Sequence, residues 1–311
     1  MNKITANDAF KNAVIGTVPE RKDEFELLWS ENNVNVILSD DYYGFDLKSG
    51  VFDSIVYNHK TMTVCWVVGF CAQISFSALH EKIYSCKNTG HPLNIVNLYS
   101  DSIKQKIING ANLVKQLLDA EKFDNVKWVS DIPHPDMQKP NDVNGEMFFD
   151  ISCMSMAFNI LHELEHLSIK KDNENLTDHD EELACDAFAK HFIIDNIKDY
   201  SNSSGDDYSL VKNKRLMAIA LSCSLFYMIT PPSHWLGSET HPSISRRVKA
   251  LFNSFDIADN DYASCYLSTS LLMVLFVFNI KVNELNVITL KSLSFNLLDK
   301  LDEFAINAKL L

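Results

Sequence analysis

The sequence predicts a mainly helical α+β protein with a small β element near its N-terminus. From about residue 146 onward, apolar residues recur at helical spacing nearly to the end, whereas β-branched and aromatic runs bounded by turn residues lie within residues 32–57. The chain has 311 residues, 46% of them hydrophobic, which suffices for one large domain or two smaller ones. Because no clear linker interrupts it, we expect one compact unit with an N-terminal subregion, residues 1–145, and a helical core, residues 146–311.

Two short strands are predicted in the N-terminal subregion. Val34–Leu38 and Val51–Tyr57 are rich in β-branched residues, and the polar segment Asp40–Gly50 lies between them. The apolar run from about residue 60 to 85 then predicts a long helix, and residues 101–121 predict a second one.

A loop separates these elements from the helical core. The segment Asp131–Asn144 contains three prolines, which lack a backbone donor and disfavour helix. Beyond it, helices are predicted at about residues 147–170, 179–196, 211–229, 243–255, 262–280 and 286–308.

Three stretches contain no charged residue and are each roughly as long as a membrane span: residues 61–79, 216–233 and 262–280. Serines, a glutamine and two prolines dilute them, and the mean hydropathy of the whole chain is slightly negative. We therefore expect buried helices of a large soluble core, with residues 262–280 as the strongest candidate for a membrane helix.

Charge and cysteine content limit the expected partners and compartment. The net charge of -13 repels nucleic-acid phosphates and anionic lipids, so we expect neither nucleic acid nor a membrane as a partner. The seven cysteines form no C-x-x-C pair, which disfavours zinc-finger and thioredoxin-like interpretations. The N-terminus lacks the apolar segment of a secretory signal. These features predict a cytoplasmic protein with free cysteines.

The pattern H-E-x-x-H occupies residues 162–166 within an apolar helical run. Because four residues are just over one helical turn, His162 and His166 project from the same face and can bind one Zn²⁺ together. Glu163 is adjacent to the first imidazole and can reach a water at the metal, which a purely structural zinc site would not require. Glu165 is a charged residue where zinc-peptidase helices usually carry an uncharged one.

A zinc site needs a third protein ligand. In the continuation H-E-x-x-H-x-x-G-x-x-H, the last two defined positions are Ile169 and Asp172 here, which excludes that class. The next segment, Asp178–Ala189, begins like a helix, and Glu182 and Asp186 share one of its faces. We predict that Glu182 is the third ligand and that Asp186 accepts the free N–H of a ligating imidazole.

Glu181 and His179 are alternative third ligands in the same segment. Glu181 would share its helix face with Cys185, which is a poor partner for a ligating imidazole, so Glu182 is preferred.

A hydrolytic site also needs a donor for the oxyanion that develops on the attacked carbonyl. His241 precedes a proline and a helix that carries Arg247. Either side chain is a candidate donor, and His234 is a weaker candidate of the same kind.

The order of these motifs resembles the gluzincin class of zinc metallopeptidases. The order is H-E-x-x-H at residues 162–166, then Glu182 and Asp186, then His241-Pro242 with Arg247. Chain length, the position of the motif and the apolar helix before it are similar to the phage-exclusion Lit peptidase family in particular. This resemblance implies a zincin-like helical metallopeptidase core and a cytoplasmic, bacterial or prophage-encoded endopeptidase. Members of that family cut a translation elongation factor during phage infection.

The main hypothesis is therefore metal-assisted peptide hydrolysis, in which Glu163 takes a proton from water and passes it to the leaving amine. Three alternatives remain open. The uncharged stretches would suit a membrane-embedded zinc peptidase. A non-catalytic, zinc-stapled interaction protein would need four protein ligands. A regulated peptidase would be silent without an activating peptide or phage protein.

Overall fold

Helices form most of the molecule, and this confirms the predicted mainly α fold with a small N-terminal β element. A computed structural model describes residues 5–39, 43–50, 53–135, 139–172, 174–253 and 257–309. In these ranges the helices are α1 (Ala6–Thr17), α2 (Lys22–Glu31), α3 (His59–Thr89), α4 (Asp101–Asp119), α5 (Val143–Asp172), α6 (Asp178–Ile194), α7 (Ile197–Ser204), α8 (Tyr208–Ile229), α9 (Ile244–Asn253), α10 (Tyr262–Val277) and α11 (Leu290–Lys309). The strands are β1 (Asn35–Leu38), β2 (Leu47–Ser49), β3 (Ser54–Tyr57), β4 (Leu93–Asn94) and β5 (Glu284–Leu285).

Each predicted helix is present, with ends shifted by a few residues, as α3, α4, α5, α6, α8, α9, α10 and α11. Residues 254 and 255 of the predicted helix at 243–255 lie outside the described residues. The sequence patterns did not identify α1, α2 or α7. For α1 a local signal exists, because Thr5 and Asp8 form a reciprocal capping box at its start.

The main sheet has the order β1-β3-β2. Strand β1 pairs parallel with β3, and β2 pairs antiparallel with it. The predicted strands at Val34–Leu38 and Val51–Tyr57 are confirmed as β1 and β3, although Val51 and Phe52 lie outside the described residues. The polar segment Asp40–Gly50 was not expected to form a strand, but it contains β2. Three residues carry too little periodicity to show in the sequence, and β2 forms because β3 offers a free backbone edge.

The hydrophobic core lies between α3, α5, α8 and α10, which pack against one another. The three uncharged stretches fall in α3, in α8 with the turn that follows it, and in α10. Among the described helices, α3 alone has the length and hydropathy of a membrane span, and 72% of that apolar window is buried inside the protein. Such burial is typical of a core helix, in agreement with the prediction of buried helices.

The N-terminal subregion packs against the helical core. Helix α1 packs on α5, and the backbone N–H of Val36 in β1 donates to the side chain of Asn7 in α1 at 2.8 Å. The boundary predicted at residue 145 falls in the first turn of α5. The sheet, with β2 at its edge, is thereby held beside the helix that carries the H-E-x-x-H pattern.

Candidate metal centre

Helix α5 places both histidines of the H-E-x-x-H pattern on one buried face. His162 and His166 are 7% and 9% exposed, and their Nε2 atoms lie 3.2 Å apart. The apolar neighbours Leu161 and Leu164 are fully buried in the core. The helix therefore directs the two imidazoles toward a single point, as the four-residue spacing predicts.

Helix α6 brings Glu182 to the same point. The Thr177 side chain caps the start of α6 by accepting the backbone N–H of Asp180 at 3.2 Å. One Glu182 oxygen lies 3.4 Å from Nε2 of His166, and the other lies 3.6 Å from Nε2 of His162. The three candidate ligand atoms all lie within 4.8 Å of one another.

The outer nitrogen of each imidazole faces a carboxylate of α6. Nδ1 of His162 lies 3.0 Å from Asp186, and Nδ1 of His166 is hydrogen-bonded to Glu181 at 2.6 Å. Such partners fix the tautomer and orientation of metal-binding imidazoles. Asp186 thus lies where the sequence predicts, whereas Glu181, considered as a rival ligand, lies on the far side of His166.

An antiparallel arrangement of α5 and α6 explains this pairing. A short connection joins the two helices, so the second histidine of α5 meets residues near the start of α6, and the first histidine meets residues one turn later. The adjacent residues Glu181 and Glu182 contact different atoms of the same imidazole: Glu182 lies near Nε2 of His166, and Glu181 is hydrogen-bonded to Nδ1. The short connection between the two helices is the sequence signal for this pairing.

The donor set fits a metal cation. With carboxylates at both Nδ1 atoms, the protons belong on Nδ1, which leaves the Nε2 lone pairs of His162 and His166 directed at one another and at Glu182. Such a convergence is repulsive unless a positive charge lies within it. In the metal-free protein a proton on His166 supplies that charge: burial lowers the pKa of His166, but hydrogen bonds with Glu182 and Glu181 outweigh that effect and raise it to about 9. A bound cation would replace this proton. Two histidines and one glutamate form a typical catalytic zinc set.

Glu163 lies beside this cluster on the cleft side of α5. Its carboxylate accepts the backbone N–H of Ser49, in strand β2, at 2.5 Å. Burial raises the pKa of Glu163, while the nearby histidines and the Ser49 N–H oppose that rise. A carboxylate with a raised pKa is a better proton acceptor than an ordinary surface glutamate.

Arg247, in α9, lies behind the cluster and not in the cleft. Its guanidinium donates to Asp186 through Nε at 2.8 Å and Nη2 at 2.7 Å, and Nη1 lies 2.9 Å from Glu182. Although burial favours the protonated form, the hydrogen bond from His166 and the charges of Arg247, His162 and His241 hold the pKa of Glu182 at about 2. Arg247 is one of the two predicted candidates for the oxyanion donor, but its N–H groups are directed at the two carboxylates and not into the cleft.

His241 lies at the mouth of the site, on what we call the His241 loop, residues 237–243. Its Nε2 is 3.4 Å from Glu182, its Nδ1 contacts the Thr240 hydroxyl at 2.7 Å, and the side chain is 58% exposed. Gly237 begins the loop with a φ of 92°. A Cβ there would lie 2.7 Å from the carbonyl oxygen of His241, so glycine is required for this close return of the chain.

The two remaining histidine candidates lie elsewhere. Nε2 of His179, considered as a ligand, contacts the carbonyl of Ser238 at 3.0 Å and so ties the start of α6 to the His241 loop. His234 lies exposed in the short 3-10 helix Pro232–His234 and does not line the cleft.

An open cleft of about 300 Å³ gives access to the cluster. Strand β2 and α5 form one side, and the start of α6 and the His241 loop form the other. A buried set of imidazole and carboxylate groups that could hold a metal, with a further carboxylate beside it and an accessible cleft in front, is typical of a hydrolytic enzyme site.

The chain belongs to the peptidase U49 family, whose model matches residues 55–267. The match extends from β3 into α10 and includes His162, Glu163, His166, Glu182 and His241. No curated protein and no solved structure matches the chain significantly. The protein is thus a member of a peptidase family with a helical fold and a His-His-Glu cluster.

Proposed function

We propose that this peptidase is a zinc-dependent endopeptidase of the gluzincin class, similar to the Lit-type enzymes. The observation that carries the proposal is the convergence of His162, His166 and Glu182 in front of an open cleft, with Glu163 beside them. A purely structural zinc site would be closed by a fourth protein ligand. Among the described residues, the group of potential ligands contains three.

His162, His166 and Glu182 would hold the cation, and Asp186 and Glu181 would keep the two imidazoles oriented. When bound, Zn²⁺ supplies Lewis acidity, which lowers the pKa of water and polarises a peptide carbonyl.

Glu163 would move the proton. Its raised pKa suits a group that takes a proton from the attacking water and delivers it to the leaving peptide nitrogen. His241 would donate a hydrogen bond to the developing oxyanion. The Thr240 hydroxyl at Nδ1 can leave the proton on Nε2, the nitrogen that faces the cluster.

Strand β2 would bind the substrate backbone. The backbone N–H of Gly50, the residue after β2, donates to the backbone carbonyl of Ser54 in β3 at 2.7 Å. In this antiparallel register the backbone groups of Lys48 point toward β3, whereas those of Leu47 and Ser49 point away from it. The Ser49 N–H points at Glu163, which locates this free edge at the cleft. An extended peptide can add to such an edge as a further strand. This supports a protein or peptide substrate.

The Lit-type resemblance extends the proposal to a cytoplasmic enzyme that cuts a translation elongation factor in phage exclusion, with an activating peptide or phage protein. The acidic chain supports a protein substrate over nucleic acid. Proteomics of cells that express the wild type or an inactive variant tests the substrate, since only the wild type should generate new protein termini.

The Glu163→Gln variant tests the mechanism. It should bind zinc with normal stoichiometry but lose peptide cleavage by about a hundredfold or more, because glutamine cannot accept the proton. Zinc content by elemental analysis and cleavage rates are the measurements.

The matched control is Glu165→Gln, the same change two residues along α5. Glu165 lies near Asp172 and Glu174 and does not line the cleft, so its loss should leave cleavage close to the wild-type rate. Retained cleavage in Glu163→Gln would refute the assignment of the base.

A further inference from the structure

Strand β2 is attached to α5 at two points, and both involve Ser49. The backbone N–H of Ser49 donates to Glu163 at 2.5 Å, and Nζ of Lys170 donates to the Ser49 hydroxyl at 3.0 Å. Glu163 and Lys170 are seven residues apart on α5, which places them two turns apart on one face. One strand residue is therefore held simultaneously by the proposed base and by a cation further along the same helix.

This attachment matters because β2 is a short strand at the edge of the sheet. The strand has three residues and pairs on one side with β3. Its other side contacts α5, and Lys170 lies with β2 and Glu163 on the wall of the cleft. A charge-assisted hydrogen bond is stronger than one between neutral groups, so the Lys170 contact is well suited to hold a short edge strand.

We propose that Lys170 is a positioning residue of the peptidase site: by holding the Ser49 hydroxyl, it keeps the Ser49 N–H on the Glu163 carboxylate and keeps the free edge of β2 aligned for substrate. The inference rests on the proposed function for its catalytic consequence. The hold of Lys170 on β2 is a separate physical statement about the protein.

The contact would act through the orientation of Glu163. The hydrogen bond from the Ser49 N–H to Oε2 of Glu163 fixes the rotation of the Glu163 carboxylate about its Cγ–Cδ bond. Without Lys170, the Ser49 side chain loses its donor, β2 moves more freely, and both the carboxylate and the substrate strand lose alignment. Misplacement by about 1 Å can reduce rates by about a hundredfold.

Lys170→Met and Lys171→Met form a matched pair for the test. Lys171 is the next residue of α5, has the same charge, and donates to the backbone carbonyl of Glu31 at 2.7 Å instead of to β2. The first readout is amide hydrogen exchange of Leu47–Ser49 in the metal-free protein. Exchange should be about tenfold faster in Lys170→Met and unchanged in Lys171→Met.

The second readout is cleavage by the zinc-loaded protein. In Lys170→Met, kcat should fall by about ten- to a hundredfold with unchanged zinc content. Lys170→Arg, which can still donate to Ser49, should restore most of the rate, and Ser49→Ala should add little to the loss in Lys170→Met.

Unchanged exchange in β2 of folded Lys170→Met would overturn the proposal, whatever the activity. Faster exchange with an unchanged kcat would also overturn it, because Lys170 would then hold the strand without positioning the base. A wild-type protein without peptidase activity both alone and in cells that supply the activating peptide or phage protein would instead refute the proposed function, and the exchange result would still decide whether Lys170 holds β2.

Discussion

The two ring nitrogens of each imidazole in the cluster contact different carboxylates. In each ring, Nε2 faces Glu182 and Nδ1 faces a different carboxylate, Asp186 or Glu181. Motif spacing in the sequence identifies which residues converge, but not which atom of each residue is used. That information depends on how the two helices are paired.

The difference between a ligand and a supporting carboxylate can be measured at Glu182 and Glu181. Glu182→Ala should abolish stoichiometric zinc binding, because it removes a ligand. Glu181→Gln should weaken zinc binding by about 10- to 100-fold, the usual effect of losing a partner of a ligating histidine. Competition with a chromophoric chelator gives both affinities.

Asp172→Asn, at the end of α5, is the control for the loss of one negative charge. If Glu181→Gln abolished binding and Glu182→Ala only weakened it, the two glutamates would have to exchange roles.

The direction of the Arg247 side chain is a second feature that the sequence does not predict. Its position after a His-Pro pair suggested a donor in the cleft. The structure instead buries its guanidinium between two carboxylates and 4.5 Å from the ring centre of Phe226. Tertiary packing of α9 against α6 and α8 determines this direction, and the local sequence does not encode it.

At the scale of elements, the sequence predicts long helices well and short connections poorly. Helices α3, α5 and α10 have enough apolar residues to be recognised without any tertiary information. Strand β2 depends on pairing with β3 and on contacts with α5, and the His241 loop depends on a contact with the start of α6. The candidate ligands were therefore accessible to sequence analysis, whereas the walls of the cleft were not.

The His241 loop can be tested through its glycine. Gly237→Ala should leave zinc binding intact but reduce cleavage by about tenfold or more. The added Cβ would clash with the backbone of His241 and Ser243 and so displace His241 from the mouth of the site. Stability should also fall by about 1–3 kcal/mol from strain at positive φ. Zinc titration, cleavage rates and thermal unfolding measure the three effects.

Gly205→Ala is the matched control. Gly205 also has a positive φ, of 80°, but it ends α7 and has open space where a Cβ would lie. It should lose stability without a specific loss of cleavage. Equal losses of cleavage in both variants would argue against a role for the His241 loop.

At the scale of the whole molecule, the metal-free cluster concentrates negative charge in an already acidic protein. The chain has a net charge of -13, and Glu163, Glu181, Glu182 and Asp186 meet around one point, where Arg247 supplies a compensating cation. A divalent cation would relieve the remaining repulsion, so the folded state should bind zinc and gain stability from it.

Removal of the metal should therefore destabilise the whole protein. At a free zinc concentration about 100 times the Kd, the wild type should be about 2.7 kcal/mol more stable than in a chelator. Calorimetric unfolding in the two conditions measures this difference, and Glu182→Ala should show almost none. Identical unfolding curves for the wild type with zinc and with chelator would contradict the metal site.

The short connection between α5 and α6 has a consequence for how the protein is made. All three candidate ligands and both supporting carboxylates lie between His162 and Asp186, on two consecutive helices, so closing the site requires only a small loop. His241 and Arg247 follow only after α7 and α8 have been synthesised. A chain emerging from the ribosome thus completes its candidate ligands and its proposed base before it acquires His241, the proposed donor to the oxyanion.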